Sequence, residues 1–168
     1  MLRKLVLKNK DLNKTFLKKL NDIAHLNSFS KKLSSFNKKY TDFGLFISDF
    51  QTFILVNIHP PPSNLSNEDK IFESIIHRLD ALSDYKNITL KIYLESQKNP
   101  KYFLIINKYI KSFFKSFLKS PLDIVKAYFI YVYAFNIWIE DDASMDKTMA
   151  AIGKSFEGFS RLESFFKK

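Results

Sequence analysis

The stretch that decides the fold is AFNIWIEDDASMDKTMAAIGKSFEGFSRLESFF, Ala134 to Phe166. An aromatic, apolar run ends at Trp138, three acids follow at Glu140, Asp141 and Asp142, and Ser-Met-Asp-Lys-Thr-Met opens a second run. A serine hydroxyl accepts a backbone N–H that the first turn of a helix leaves without a partner. Ser144 is therefore expected to cap the last helix. Asp146 stands where the positive end of the helix dipole favours an anion. The segment reads as helix, acidic turn, helix.

The same signals recur upstream. Ser66-Asn67-Glu68-Asp69 pairs a cap with an acidic first turn, and Asn99-Pro100 and Ser120-Pro121 pair a cap with proline at the first helical position. They predict helices near Asn67–Leu82, Asp84–Gln97, Pro100–Lys119, Pro121–Glu140 and Met145–Phe166. Ile71, Phe72, Ile75, Ile76, Leu79 and Leu82 trace one helical face at steps of three and four. Before His59-Pro60-Pro61-Pro62-Ser63, which no helix crosses, three more are expected: Leu12–His25, Phe29–Lys38 and Asp42–Ile58. With 168 residues, 46% hydrophobic, only three glycines and five prolines, long helices with short connections are favoured over many short strands. The fold class is all-α. Two parts are expected: a basic helical unit at 1–58 and a larger helical unit at 64–168.

The net charge of +10 attracts polyanions, either nucleic acid or anionic lipid headgroups. Lysine supplies nearly all of it, which favours phosphate attraction over the bidentate base reading typical of arginine. The first forty residues hold eleven Lys or Arg side chains against Asp11 and Asp22 alone. There is no cysteine, so disulfides and thiolate metal sites are excluded. His25, His59 and His77 lack metal-ligand spacing, and no nucleophile elbow, phosphate-cradling glycine loop or dinucleotide fingerprint is present. No catalytic residue, cofactor or metal site is expected, and an enzyme is not. Leu5-Val6-Leu7 is too short for the core of a secretory signal. The longest apolar run, Ala127 to Ile139, falls short of the roughly 20 residues of a membrane span. A cytoplasmic protein is expected, with peripheral membrane contact as the alternative.

The Trp, acidic turn, Ser-x-Asp step and Thr-Met-Ala-Ala opening resemble the C-terminal helical domain of TetR-type transcriptional regulators. They also resemble a related lipid-binding family that assists ubiquinone biosynthesis on a TetR-like fold. Asp-Lys-Ile-Phe-Glu from Asp69, Arg78-Leu-Asp-Ala-Leu and Asn99-Pro100 extend the likeness over about 68–166. Upstream, Asp22-Ile23-Ala24 falls where TetR-type proteins carry an Ile-Ala pair, and Phe29–Phe36 falls on their recognition helix. Here the usual turn glycine is replaced by Leu26-Asn27, which makes the helix-turn-helix a degenerate one.

Two functions follow from the resemblance. In one, the chain is a TetR-like regulator. Lys31, Lys32, Lys38 and Lys39 then meet DNA phosphates, with Ser30, Ser34, Ser35 and Asn37 near base edges. An apolar ligand would lie among Phe103, Ile106, Ile110, Phe114, Phe117, Tyr128 and Phe135. A homodimer would form along Trp138, Met149, Ile152, Gly153, Phe156, Phe159 and Leu162. In the other, the chain is a membrane-peripheral accessory protein that holds an apolar lipid or isoprenoid without binding DNA. Lys108, Lys111, Lys115 and Lys119 recur at helical steps opposite Phe103, Ile106, Ile110, Phe113, Phe114 and Phe117. A basic amphipathic helix of this kind suits an anionic lipid interface.

Overall fold

The computed structural model describes the backbone of residues 12–166, with side chains to Arg161 and at Ser164. Eight α-helices and no strands occur among the described residues. They are α1 (Lys14–Ile23), α2 (Phe29–Phe36), α3 (Phe43–Val56), α4 (Asn67–Ser83), α5 (Lys86–Lys98), α6 (Pro100–Lys115), α7 (Pro121–Glu140) and α8 (Asp146–Phe166). A 3-10 turn, Lys38–Thr41, joins α2 to α3. The all-α expectation holds, and most helix starts fall where the capping residues put them. Ser66 Oγ accepts from Asp69 N at 3.1 Å, Asn99 Oδ1 from Lys101 N at 3.0 Å, and Ser120 Oγ from Asp123 N at 3.4 Å.

Several boundaries differ from the sequence expectation by one to four residues, two of them in α5 and α6. Helix α5 begins at Lys86 rather than Asp84, because Tyr85 is buried with its ring edge-on to Phe50 at 6.1 Å and Phe53 at 5.7 Å. Helix α6 stops at Lys115, four residues short of Lys119. The Ser116 hydroxyl bonds back to Phe113 O at 2.6 Å, and Leu118 N closes on Phe114 O.

The chain forms two compact units, and they do not divide at the prolines alone. Unit 1 comprises residues up to His59 together with Asp80–Ile110; unit 2 comprises Pro60–Leu79 and Lys111 onward. Residues 80–110 join the N-terminal piece through specific bonds. Asn21 Oδ1 accepts from Ile88 N at 3.1 Å, and Asn87 Nδ2 donates to Asn21 O at 3.2 Å. The core of unit 1 is aromatic. Phe46 lies at its centre, with Phe29 at 6.1 Å, Tyr40 at 5.4 Å, Phe43 at 5.8 Å and Phe50 at 6.1 Å between ring centroids. Such spacings are the preferred edge-on and offset arrangements.

Helix α3 starts at a double anchor. Asp42 Oδ1 accepts from Gly44 N at 2.8 Å, and Asp42 Oδ2 accepts from Lys101 Nζ at 2.9 Å. Glycine at 44 suits this close approach, since a Cβ there would stand 3.2 Å from the Ile105 side chain.

In unit 2, α4, α7 and α8 enclose Ile71, Ile75, Ala127, Ala134, Trp138 and Ile152. Arg78 is 1% exposed. Its guanidinium lies over the Phe113 and Tyr131 rings at 5.6 and 5.5 Å, and its Nε donates to the Tyr131 hydroxyl at 3.2 Å. Stacking on aromatic faces lets a guanidinium sit in a core that would reject an ammonium. Helix α7 is, by length and composition alone, long and apolar enough to cross a bilayer, which the Ala127–Ile139 run did not indicate. Its inner face, however, packs on α8 and carries buried Lys126, whose Nζ is 2.7 Å from Glu68 Oε1.

Asp42→Ala removes an N-cap, so it should cost about 1 kcal/mol and lower the melting temperature by roughly 2–4 °C. Lys101→Ala removes only an exposed ion pair and should cost less. Thermal unfolding followed by circular dichroism checks the order.

Candidate functional site

The basic surface of unit 1 is built by α1, α2 and the 3-10 turn. Asn13 caps α1 by accepting from Phe16 N at 2.8 Å, and the helix buries Leu17 and Leu20. That leaves Lys14, Lys18 and Lys19 in solvent. After the turn at Leu26, α2 buries Phe29 and Leu33, so Ser30, Lys31, Lys32 and Ser35 face outward. Ser28 makes no side-chain cap for α2.

The residues expected near DNA divide into two sets. Ser30, Lys31, Lys32 and Lys38 are exposed, as are Ser35 and Lys39. Ser34, Ser35, Asn37 and Lys39 are held by local bonds. Ser34 and Ser35 donate their hydroxyl protons to the carbonyls of Lys31 and Lys32 at 2.8 and 2.7 Å. Asn37 accepts from Lys39 N at 2.9 Å and so caps the 3-10 turn. Lys39 is tied to Asp49 at 2.7 Å, where the Tyr40 hydroxyl also donates at 3.0 Å. Among the described residues, no acid lies within ion-pair distance of Lys14, Lys18, Lys19, Lys31, Lys32 or Lys38. Lys91, Lys98, Lys101 and Lys126 each meet one.

The residues proposed for a ligand fall in both units. Phe103, Ile106 and Ile110 belong to unit 1, where Phe103 is 53% exposed and Ile110 is buried. Phe114, Phe117, Tyr128 and Phe135 belong to unit 2. Phe114 packs edge-on to Phe117 at 6.0 Å and to Tyr131 at 6.1 Å, and Phe135 lies 6.0 Å from Tyr131 and 5.6 Å from Trp138. Ring meets ring along this line. The Tyr128 ring lies 5.2 Å from Lys111 Nζ, and burial raises the Tyr128 hydroxyl pKa.

The residues named for a dimer seam are also split. Trp138 and Ile152 are buried inside the unit, covered by their own chain. Met149, Phe156 and Phe159 are half-buried, and the rings of the last two lie 5.4 and 5.8 Å from Lys126 Nζ. Gly153 is exposed, and the Leu162 side chain lies outside the described residues. Sequence reasoning missed an uncovered row on α7: Leu122, Val125, Phe129 and Tyr133, each about half exposed or more. Because the inner face of α7 is equally apolar, hydrophobic periodicity gave no sign of which side lies open.

The acidic turn also differs in detail. Asp141, not Ser144, makes the main cap: its Oδ2 accepts from Thr148 N at 2.8 Å and from the Thr148 hydroxyl at 2.7 Å. Both residues are buried. Met145 is left-handed, with φ 57°, and α8 starts one residue later than expected. Ser144 instead braces the turn, with Oγ 2.6 Å from Asp142 Oδ1 and 2.8 Å from Asp146 Oδ2. Its Oγ accepts from Asp146 N only at 3.4 Å. Among the described residues, no three His, Asp or Glu gather where a metal ion could sit.

The chain matches no protein-family model, no curated protein and no solved structure.

The Thr148 hydroxyl bond, more than any other contact, holds the Asp141 carboxyl below its ordinary pKa; the Ser144 hydroxyl does the same for Asp142. A carboxylate whose pKa is depressed on folding stabilises the fold above its unfolded value and loses that contribution as pH falls through the folded value. The urea midpoint should therefore drop as pH falls below about 4. Asp141→Asn should be less stable at neutral pH and should show a flatter acid limb. An acid limb identical to that of the parent would contradict the assignment.

Proposed function

We propose that the chain is a TetR-like regulator whose basic α1–α2 surface meets the phosphate backbone of DNA, with a homodimer holding two such surfaces. The observation that carries this reading is the face of Lys14, Lys18, Lys19, Lys31, Lys32 and Lys38, all exposed and with no acid within ion-pair distance among the described residues. A helix that buries Phe29 and Leu33 and turns Lys31 and Lys32 outward is suited to lie along a duplex. With Ser34, Ser35 and Asn37 engaged in local bonds, contacts of this face are mainly with phosphates, which position a protein without reading sequence. In this reading an apolar effector acts by favouring one packing of the unit 2 rings over another.

A second reading, lipid handling at a membrane surface, draws on Phe103 and Leu104. They are 53% and 66% exposed on α6, the helix that also carries exposed Lys108, Lys111 and Lys115. Charge of this kind serves anionic headgroups as well as phosphodiesters.

Fluorescence anisotropy with a labelled duplex of arbitrary sequence across a salt series tests the first reading. Binding should weaken linearly in log–log form. Lys31→Gln/Lys32→Gln should lower the slope by about 2 and weaken all sequences alike. No binding at low salt, or an unchanged slope, would contradict it. Binding to anionic vesicles instead, lost with Phe103→Ser/Leu104→Ser, would favour the second.

A further inference from the structure

One lysine of the basic face is already engaged by its own chain. Lys39, on the 3-10 turn, places its Nζ 2.7 Å from Asp49 Oδ2 on α3, and the same Nζ lies 5.6 Å from the centre of the Tyr40 ring. Asp49 Oδ2 also accepts from the Tyr40 hydroxyl at 3.0 Å. Tyr40 is 1% exposed, with its ring edge-on to Phe46 at 5.4 Å, so the core of unit 1 fixes where that hydroxyl stands. The carboxylate is therefore anchored on the inside and the ammonium is the wetter partner, their side chains being 17% and 35% exposed. Among the described residues, Lys39 is the only lysine of α1, α2 and the 3-10 turn that an acid holds.

An ion pair this open to water contributes little, so a phosphate can draw Lys39 away from Asp49. The exchange strands no buried group, because Asp49 keeps the Tyr40 hydroxyl. Contact at Lys39 is nevertheless weaker than contact at Lys31, Lys32 or Lys38. With Asp49 beside it, Lys39 brings no net charge to a phosphate and displaces no cation from the strand. Asp49 also stands as a like charge against any phosphate that reaches this lysine.

We propose that Asp49 is a built-in brake on polyanion binding. It withholds Lys39 from the phosphates that the neighbouring lysines meet, and removing its charge adds one phosphate contact to the surface. Asp49 acts through Lys39 and is a positioning residue rather than a contact of its own. The inference rests on the reading of this face as a phosphate-binding surface and names the residue that limits it.

Amine acetylation of the full chain without nucleic acid, followed by mass spectrometry, tests the hold itself. Lys39 should be modified more slowly than Lys31, Lys32 and Lys38, and Asp49→Asn should bring it to their rate. Asparagine keeps an acceptor for Tyr40, so circular dichroism should show parental helix content. Fluorescence anisotropy with a labelled duplex across a salt series tests the consequence. Asp49→Asn should steepen the log–log slope by about 0.9, so that its gain over the parent grows about threefold between roughly 200 and 50 mM salt. Introduced on top of Lys39→Gln, it should leave the slope unchanged, since no ammonium remains to be released. If Asp49→Asn fails to fold, the reactivity of Lys39 in the parent still decides. Lys39 as reactive as Lys31 in the parent, a slope indifferent to Asp49→Asn, or a gain that survives Lys39→Gln would each overturn the proposal and leave the phosphate-binding face standing. A parent and an Asp49→Asn variant that both bind no duplex at low salt would overturn the proposed function, and the brake with it.

Discussion

Unit 2 depends on one buried carboxylate. Asp141 ends α7, and its Oδ2 takes both the backbone N–H and the hydroxyl of Thr148 in the first turn of α8. A buried carboxylate must satisfy its oxygens or cost free energy, and Asp141 does so across the connection. The bond fixes where one helix stops and where the next begins. From that register, the rings of Phe156 and Phe159 on α8 come to 5.4 and 5.8 Å from Lys126 Nζ on α7. Phe129 and Tyr133 are left facing out beside Gly158.

Much of the helical plan was legible because caps are local chemistry. Ser66, Asn99 and Ser120 each announce a helix within four residues of sequence, and each accepts the backbone N–H expected of it. What could not be read is what lies at long range. Asn21 bonding to Ile88 draws residues 80–110 into the N-terminal unit across more than sixty positions. Ser144 was a good local cap by type, yet Asp141, seven residues before Thr148, reaches the helix start better. Helix α7 is apolar all round, so nothing in its pattern told the buried Trp138 side from the open Phe129 side.

The candidate surfaces follow the same division. Exposed lysines on α1 and α2 were legible from the spacing of Leu17, Leu20, Phe29 and Leu33, because burial of one face fixes the other. The engagement of Ser34, Ser35 and Asn37 in local bonds was not, since short polar side chains choose between solvent, ligand and their own backbone only in the folded geometry. The aromatic stripe of α6 and α7 reads as a cavity wall or as a filled interior equally well in sequence. In the fold, Phe117, Phe114, Tyr131 and Phe135 meet ring to ring at about 6 Å, a long-range arrangement that the stripe itself does not spell out.

The homodimer of the proposed function is a direct claim about the purified molecule, and native mass spectrometry tests it in one spectrum. The account predicts a species of twice the 19.8 kDa chain mass. A spectrum of single chains alone would contradict it.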